Sequence, residues 1–302
     1  MRGMKPRDLT DLVLLGALWG ASFLFMRIAA PVFGPVALIS VRVGSAALLL
    51  LPILMWRGEL GLVRQKWQAI AWVGVINSTL PFVLFAYSTL TLTAGMAAIL
   101  NATAPMWTAL IAWLWLGDRL PLARVAGLVV GLGGVAVLVS DRVGLRGDGL
   151  AVLLAIAAGL GATLCYGVGA NLARRSLAGV PALVTAGGSL IAATVVLLPF
   201  ALWFWPATPP AAGDWAAAIA LGLLCTALAY LLFFRLIARV GATGAVSVTF
   251  LIPLFAVVWG VLFLDEGLSI NMAIGGDIVL AGTALSTGIL RWPARRPPRI
   301  GT

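Results

Sequence analysis

Residues 94–116 read AGMAAILNATAPMWTALIAWLWL, a run of 23 without one charged side chain. Coiled as a helix at about 1.5 Å per residue, it exceeds the roughly 30 Å of a bilayer's hydrocarbon core. Outward from this run, similar apolar stretches recur between clusters of charge and Gly/Pro punctuation. They predict ten helices, at 9–29, 34–56, 67–89, 93–116, 121–140, 148–172, 181–204, 214–236, 242–264 and 270–290. A membrane-spanning barrel would alternate polar and apolar residues over segments of about ten, which these runs do not. The expected fold class is an all-α polytopic membrane protein.

Composition leads to the same class. Of 302 residues 62% are apolar and 10% charged, with a mean hydropathy of +1.09, whereas a soluble domain carries about a quarter charged residues. Ten spans leave about 100 residues for nine connections and two tails, which implies one compact bundle with no extramembrane domain. The connections at 30–33 and 90–92 are short enough to make their flanking helices antiparallel neighbours.

The chain also resembles itself. An offset of 147 lays Trp19-Gly20 on Tyr166-Gly167, Arg27 on Arg174, Pro52 on Pro199 and Trp56 on Trp203. One residue more, 148, then holds for Trp67/Trp215, Phe85/Phe233, Pro105/Pro253, Asp118/Glu266, Gly127/Gly275 and Gly134/Gly282. Tryptophans, prolines and acids in one register imply two five-helix repeats, 1–140 and 148–290, followed by a basic tail at 291–302. Because five is odd, the second repeat must enter the membrane upside down, which makes the repeats inverted.

Charge supports that topology. With the N-terminus inside, sixteen Lys and Arg residues fall on the cytoplasmic side and only Arg142 and Arg146 outside, so the positive-inside rule places both termini in the cytoplasm. The expected location is a bacterial inner membrane. A net charge of +10 on a soluble protein would point to nucleic acid; here the charges flank apolar runs, and the expected partners are the lipid bilayer and a small-molecule substrate, with no nucleic acid. Met1–Asp11 is charged and precedes a full-length span, so no cleaved leader is expected.

Enzymatic motifs are missing. The chain has no histidine, which removes Ser-His-Asp chemistry and most zinc or haem ligation. Cys165 and Cys225 lie apart within apolar runs and read as small hydrophobes. Gly131-Leu132-Gly133-Gly134 lacks the Lys-Ser/Thr of a phosphate loop and reads as a helix contact. No cofactor or metal is expected. A membrane enzyme would need an intramembrane catalytic pair, and none is visible.

What remains are polar residues beside prolines. Proline removes the hydrogen bond to the carbonyl four residues earlier, so Pro81, Pro105 and Pro253 free the carbonyls of Asn77, Asn101 and Thr249. Such groups either line a watery cavity or are satisfied locally at a structural kink. Trp19, Trp107, Tyr166 and Tyr230 fall deep in their helices, with Ser22 one turn from Trp19, and belong either to the cavity or to the packed core. Arg42, inside the second helix, binds a substrate carboxylate or snorkels outward into a structural pairing. Arg27 is expected to snorkel. Asp277 has Val129 as its repeat mate and is either a coupling acid or paired to a neighbouring helix.

Trp19-Gly-Ala-Ser22-Phe in the first helix, Arg42 in the second, Asn101-Ala-Thr-Ala-Pro105 in the fourth and Leu-Gly-Asp118-Arg-Leu120 after it together resemble the drug/metabolite transporter superfamily, in its ten-helix EamA-type branch. Phe250-Leu-Ile-Pro253 and Leu264-Asp-Glu266-Gly-Leu268 repeat the pattern in the second half. The resemblance covers almost the whole chain. It implies a basket-like bundle, a central cavity and export of small metabolites by alternating access. Within the branch the chain looks most like the YddG-type exporters of aromatic and other amino acids; a flippase of lipid-linked or sugar-type substrates is the alternative. The expected site has backbone acceptors near Asn77 and Asn101 for an ammonium group, Ser22 or Ser78 to orient the substrate, and Trp19, Tyr166 and Tyr230 against its apolar part, with Trp107 and Thr249 close by. Asp277 departs from the small or apolar residue usual in the branch.

Overall fold

A computed structural model describes residues 5–140 and 145–288. The basic tail at 291–302, Arg2, Asp141 and Arg142 lie outside the described residues. Among those described, all regular structure is helical.

The first helix, α1 (Pro6–Phe33), is longer at both ends than its apolar run suggests. Pro6 sits in the first turn, where a missing N–H costs nothing, and the helix continues past Pro31 to Gly34. Gly34, at φ 72°, is the whole connection to α2 (Pro35–Trp56); a side chain there would be strained. A short α3 (Leu60–Gln65), which the apolar pattern does not predict, bridges to the third span.

That span is composite. It consists of α4 (Trp67–Gly74), a π-helical turn at Val75–Thr79 and α5 (Leu80–Thr91). The next is broken too: α6 (Ala94–Asn101) ends before Ala102 and Thr103, and α7 (Ala104–Leu116) begins with Pro105 in its first turn. Pro105 therefore starts a helix rather than kinking one, the position at which its lack of a donor is harmless. After α8 (Leu122–Leu138) come α9 (Gly149–Ser176), α10 (Ala182–Trp203) and α11 (Ala212–Gly222). A second π-helical turn at Leu223–Leu228 leads into α12 (Ala229–Val246), kinked at Gly241, then α13 (Val248–Leu264) and α14 (Ile270–Ser286). Among the described residues eight helical stretches are long and apolar enough to cross a membrane; α8 and α14 are shorter apolar helices.

Two contacts position the interior. The main core packs α1, α2, α4, α10 and α11 through fully buried Phe33, Leu38, Leu50 and Ile70 with Val184 and Leu221. Away from it, α8 and α14 meet backbone to backbone. A Cβ added at Gly127 would lie 2.6 Å from the Gly282 oxygen, and one at Gly275 would lie 2.6 Å from the Leu138 nitrogen. Small residues allow that approach where lipid supplies no hydrophobic drive.

Candidate functional site: a polar and aromatic central cavity

A cavity of about 900 Å³ opens inside the bundle, a volume suited to a small metabolite. Its deep part is walled by Trp19 and Ser22 from α1, Arg42 from α2, Phe82 and Phe85 from α5, Tyr166 from α9, and Tyr230 and Phe233 from α12. Its mouth carries Asp118, Arg124 and Arg174. Aromatic pairs stand on both sides: Trp19 and Phe233 have ring centroids 5.1 Å apart, and Phe85 and Tyr166 6.2 Å apart.

The π-helical turns bring polar groups inward. In the first, the Leu80 amide bonds the Val75 carbonyl five residues back, which adds a residue to the turn and re-aims those beside it. Asn77 and Ser78 of this turn line the cavity, and Asn77 packs so closely on α9 that only a glycine, Gly169, fits opposite. In the second turn the Thr226 hydroxyl donates to the Leu221 carbonyl at 2.9 Å and accepts from Arg42 Nε at 2.9 Å. Asn101, at the end of α6, and Thr249, whose hydroxyl donates to the Val246 carbonyl at 2.8 Å, also face the cavity.

Eight of the nine residues expected around a substrate thus share one cavity, together with Arg42; Trp107 does not. It lies at the α7–α9 contact, where a Cβ at Gly167 would come within 2.8 Å of the Trp107 carbonyl carbon, so packing holds it there. Arg42 does not snorkel: it is buried, with the Phe82 ring 3.7 Å from Cζ. Asp277 is neither in the cavity nor in an ion pair among the described residues. The packed stripe of α14 runs through Gly275, Gly276, Val279 and Gly282, and Asp277, a step past Gly276, is turned to the exposed side.

Arg27 also departs from expectation. It donates to the Thr89 carbonyl at 2.8 Å and lies 3.3 Å from Glu266, whose oxygens accept from the Ala94 amide at 3.1 and 3.0 Å. Burial raises the Glu266 carboxyl above its usual range, opposed by the Ala94 amide and Arg27. At the mouth, Arg174 grips Asp118 through two bonds of 2.6 and 3.2 Å, and that hydrogen bonding holds the Asp118 carboxyl below the usual range.

Sequence reasoning missed four groups. Asn171 is buried in the cavity wall, its amide donating to the carbonyls of Thr108 and Gly167 at 2.9 and 2.8 Å. Thr226 could have been found as the repeat mate of Ser78, and the Arg27–Glu266 pair from the two matched charges already noted. Phe82, the mate of Tyr230, is hidden among apolar neighbours.

The sequence model of the EamA-like transporter family matches residues 11–140 and 153–288. Three curated proteins are similar. An uncharacterized transporter of Bacillus subtilis, YvbV, is 26% identical over 93% of this chain and 92% of its own. A probable terminal-alkyne amino-acid exporter of Streptantibioticus cattleyicolor is 28% identical over 91% of both chains. The aromatic amino acid exporter YddG of Ancylobacter novellus is 32% identical over 54% of this chain and 56% of its own.

Proposed function

We propose that this chain, which belongs to the EamA-like transporter family, exports small amphipathic metabolites, aromatic and other amino acids foremost, across a bacterial inner membrane. The observation that carries the proposal is the cavity. It has polar groups and aromatic rings at its floor and is reached from the end that bears Asp118 and Arg174. At the other end Arg27 and Glu266 are buried together.

In this reading ten helices cross the bilayer as two inverted five-helix repeats, 1–140 and 148–290, with both termini cytoplasmic. Support comes from matching element ends. α2 and α10 both have 22 residues, α8 and α14 both have 17, and the π-helical turns begin at Val75 and Leu223, in register with the 148 offset. The ion pairs support it as well, since Arg27 and Arg174 are mates, as are Glu266 and Asp118, and each pair joins one half to the other. Rocking of the halves about the cavity would expose it to each face in turn. An aromatic side chain would lie against Trp19, Tyr166 and Tyr230, while Asn77, Ser78, Asn101 and Thr249 offer neutral acceptors for an ammonium group.

Counterflow in proteoliposomes tests the proposal. Vesicles preloaded with one amino acid of a twenty-member panel should take up the same labelled amino acid faster than vesicles without protein, with aromatic members fastest. Absence of counterflow across the whole panel would overturn amino-acid export.

A further inference from the structure

Arg42 is a cation buried in the cavity wall with no anion beside it among the described residues. Its side chain is 6% exposed. Nε donates to Thr226, Nη1 approaches the Met26 sulfur at 3.8 Å, and Phe82 lies under Cζ. Because the Thr226 proton is spent on the Leu221 carbonyl, its oxygen presents lone pairs to the guanidinium and holds it in one plane. None of these partners carries negative charge, and Nη2 has no hydrogen-bond partner among the described residues.

The acids near enough to matter are committed elsewhere. Among the described residues the carboxylate lining the cavity is Asp118, at the mouth and held by Arg174. Glu266 is held by Arg27, Asp11 by Arg235 and Arg239, and Asp277 faces outward. A buried, uncompensated cation is costly, and such a charge inside a membrane protein marks a ligand or ion path. A second observation points to the same place. The Ser22 hydroxyl, in a residue 5% exposed in the cavity wall, bonds no nitrogen or oxygen among the described residues and has only the Cys225 thiol, a weak partner, beside it. Ser22 lies one helical turn from Met26, which touches Arg42, so the two unspent donors share one side of the cavity.

The geometry points to a carboxylate-binding site in which Arg42 and Ser22 take the substrate's carboxylate, while Thr226 and Phe82 keep the guanidinium in place. This rests on reading the cavity as the transport site and names what that site selects. Its substrates are small carboxylates with an apolar body. A charged ammonium group meets only neutral acceptors there and is optional. The planar guanidinium fork suits a carboxylate in a way that a lysine ammonium does not.

The test uses the full-length protein and three kinds of probe. They are phenylalanine and leucine, the deaminated acids 3-phenylpropionate and 4-methylpentanoate, and the decarboxylated amines phenylethylamine and isopentylamine. Thermal stabilisation of the purified protein reads binding, and competition in counterflow reads transport. Acids and amino acids should bind within about tenfold of each other and the amines about 100-fold more weakly, as expected when a buried charge loses its partner. Arg42→Gln should erase that difference, and Arg42→Lys should restore part of it. Should the Arg42 variants fail to fold, Thr226→Val should weaken the acids about tenfold and leave the amines unchanged. Amines binding as well as acids to the unmodified protein, or stabilisation by no acid, would overturn the carboxylate site. Stabilisation by the acids without counterflow of any amino acid would instead overturn amino-acid export and leave the carboxylate site standing.

Discussion

Arg27–Glu266 and Arg174–Asp118 are built from residues that match in sequence at offsets of 147 and 148, yet their surroundings differ. The side chains of the first pair are 3% and 10% exposed and those of the second 58% and 37%. Glu266 also accepts two bonds from the Ala94 amide and Arg27 donates to the Thr89 carbonyl, so the first pair is woven into the backbone of two other helices. Among the described residues the side chains of the second pair are bonded only to each other. The difference identifies the shut end of the bundle. Where the pair is buried the cavity stops, and where the pair stands in the open the cavity has its mouth. In the export proposal, burial passes from one pair to the other during each cycle.

Removing one partner from each pair should break the equivalence most sharply. Arg27→Gln leaves the buried Glu266 carboxylate with the Ala94 amide but without the guanidinium that pairs it, and loss of one member of a buried pair costs about 3–5 kcal/mol. The purified variant should melt many degrees lower or accumulate poorly, whereas Arg174→Gln should leave the melting temperature almost unchanged, because exposed pairs contribute little. Comparable losses from the two variants would show that burial does not distinguish the pairs. The double replacement Arg27→Gln with Glu266→Gln should recover much of the lost stability, since it leaves no unpaired charge inside.

A smaller effect should appear with pH, and with opposite sign at the two ends. Burial raises the Glu266 carboxyl from its ordinary value of 4.5, so just above that value the folded protein still holds a proton that the unfolded chain has released. Stability should therefore fall as pH rises through that window. The Arg174 hydrogen bond lowers the Asp118 carboxyl from its ordinary 3.8, so below that value the unfolded chain takes a proton first and stability falls as pH falls. Melting temperature measured against pH should lose its downward slope above 4.5 in Glu266→Gln and keep it in Asp118→Asn. Persistence of the slope in Glu266→Gln would assign it to another group.

The two pairs also mark how far the sequence could be read. Helix ends were legible wherever charge or Pro/Gly stopped an apolar run, as at Trp56 and Leu116 and, to within one residue, at Trp203. The cavity was largely legible because prolines and matched aromatics flagged positions that lipid alone would not tolerate. The π-helical turns were not, since a shift of one hydrogen-bond register has no residue signature beyond Pro81 after the first. Arg27 was misjudged because its position near a helix end fits snorkelling; Glu266, which holds it, arrives from the far end of the chain through tertiary packing. Asp277 and Trp107 were judged by depth along their helices, and depth says nothing about which side of a helix faces the cavity.

The smallest expected effect concerns the residues just before the two acids. Gly117 and Asp265 end α7 and α13 in the left-handed region, at φ 71° and 51°. That conformation lets the Asp118 amide reach the Ala112 carbonyl at 3.3 Å and the Glu266 amide reach the Gly260 carbonyl at 3.2 Å, closing each helix and presenting each acid to its arginine. Glycine adopts this conformation freely, while a residue with a Cβ is strained by about 1–2 kcal/mol, less for aspartate, whose short side chain tolerates it. Gly117→Ala should therefore destabilise by about 1 kcal/mol. Asp265→Gly should change stability by a few tenths of a kcal/mol at most, because relief of strain is offset by glycine's greater freedom in the unfolded chain. The open end would then depend on its glycine more than the shut end depends on its aspartate. Thermal melts of the two single variants decide the matter. A loss from Asp265→Gly as large as that from Gly117→Ala would mean that the Asp265 carboxylate itself holds the shut end closed, and that backbone conformation alone does not explain why these two caps are built from different residues.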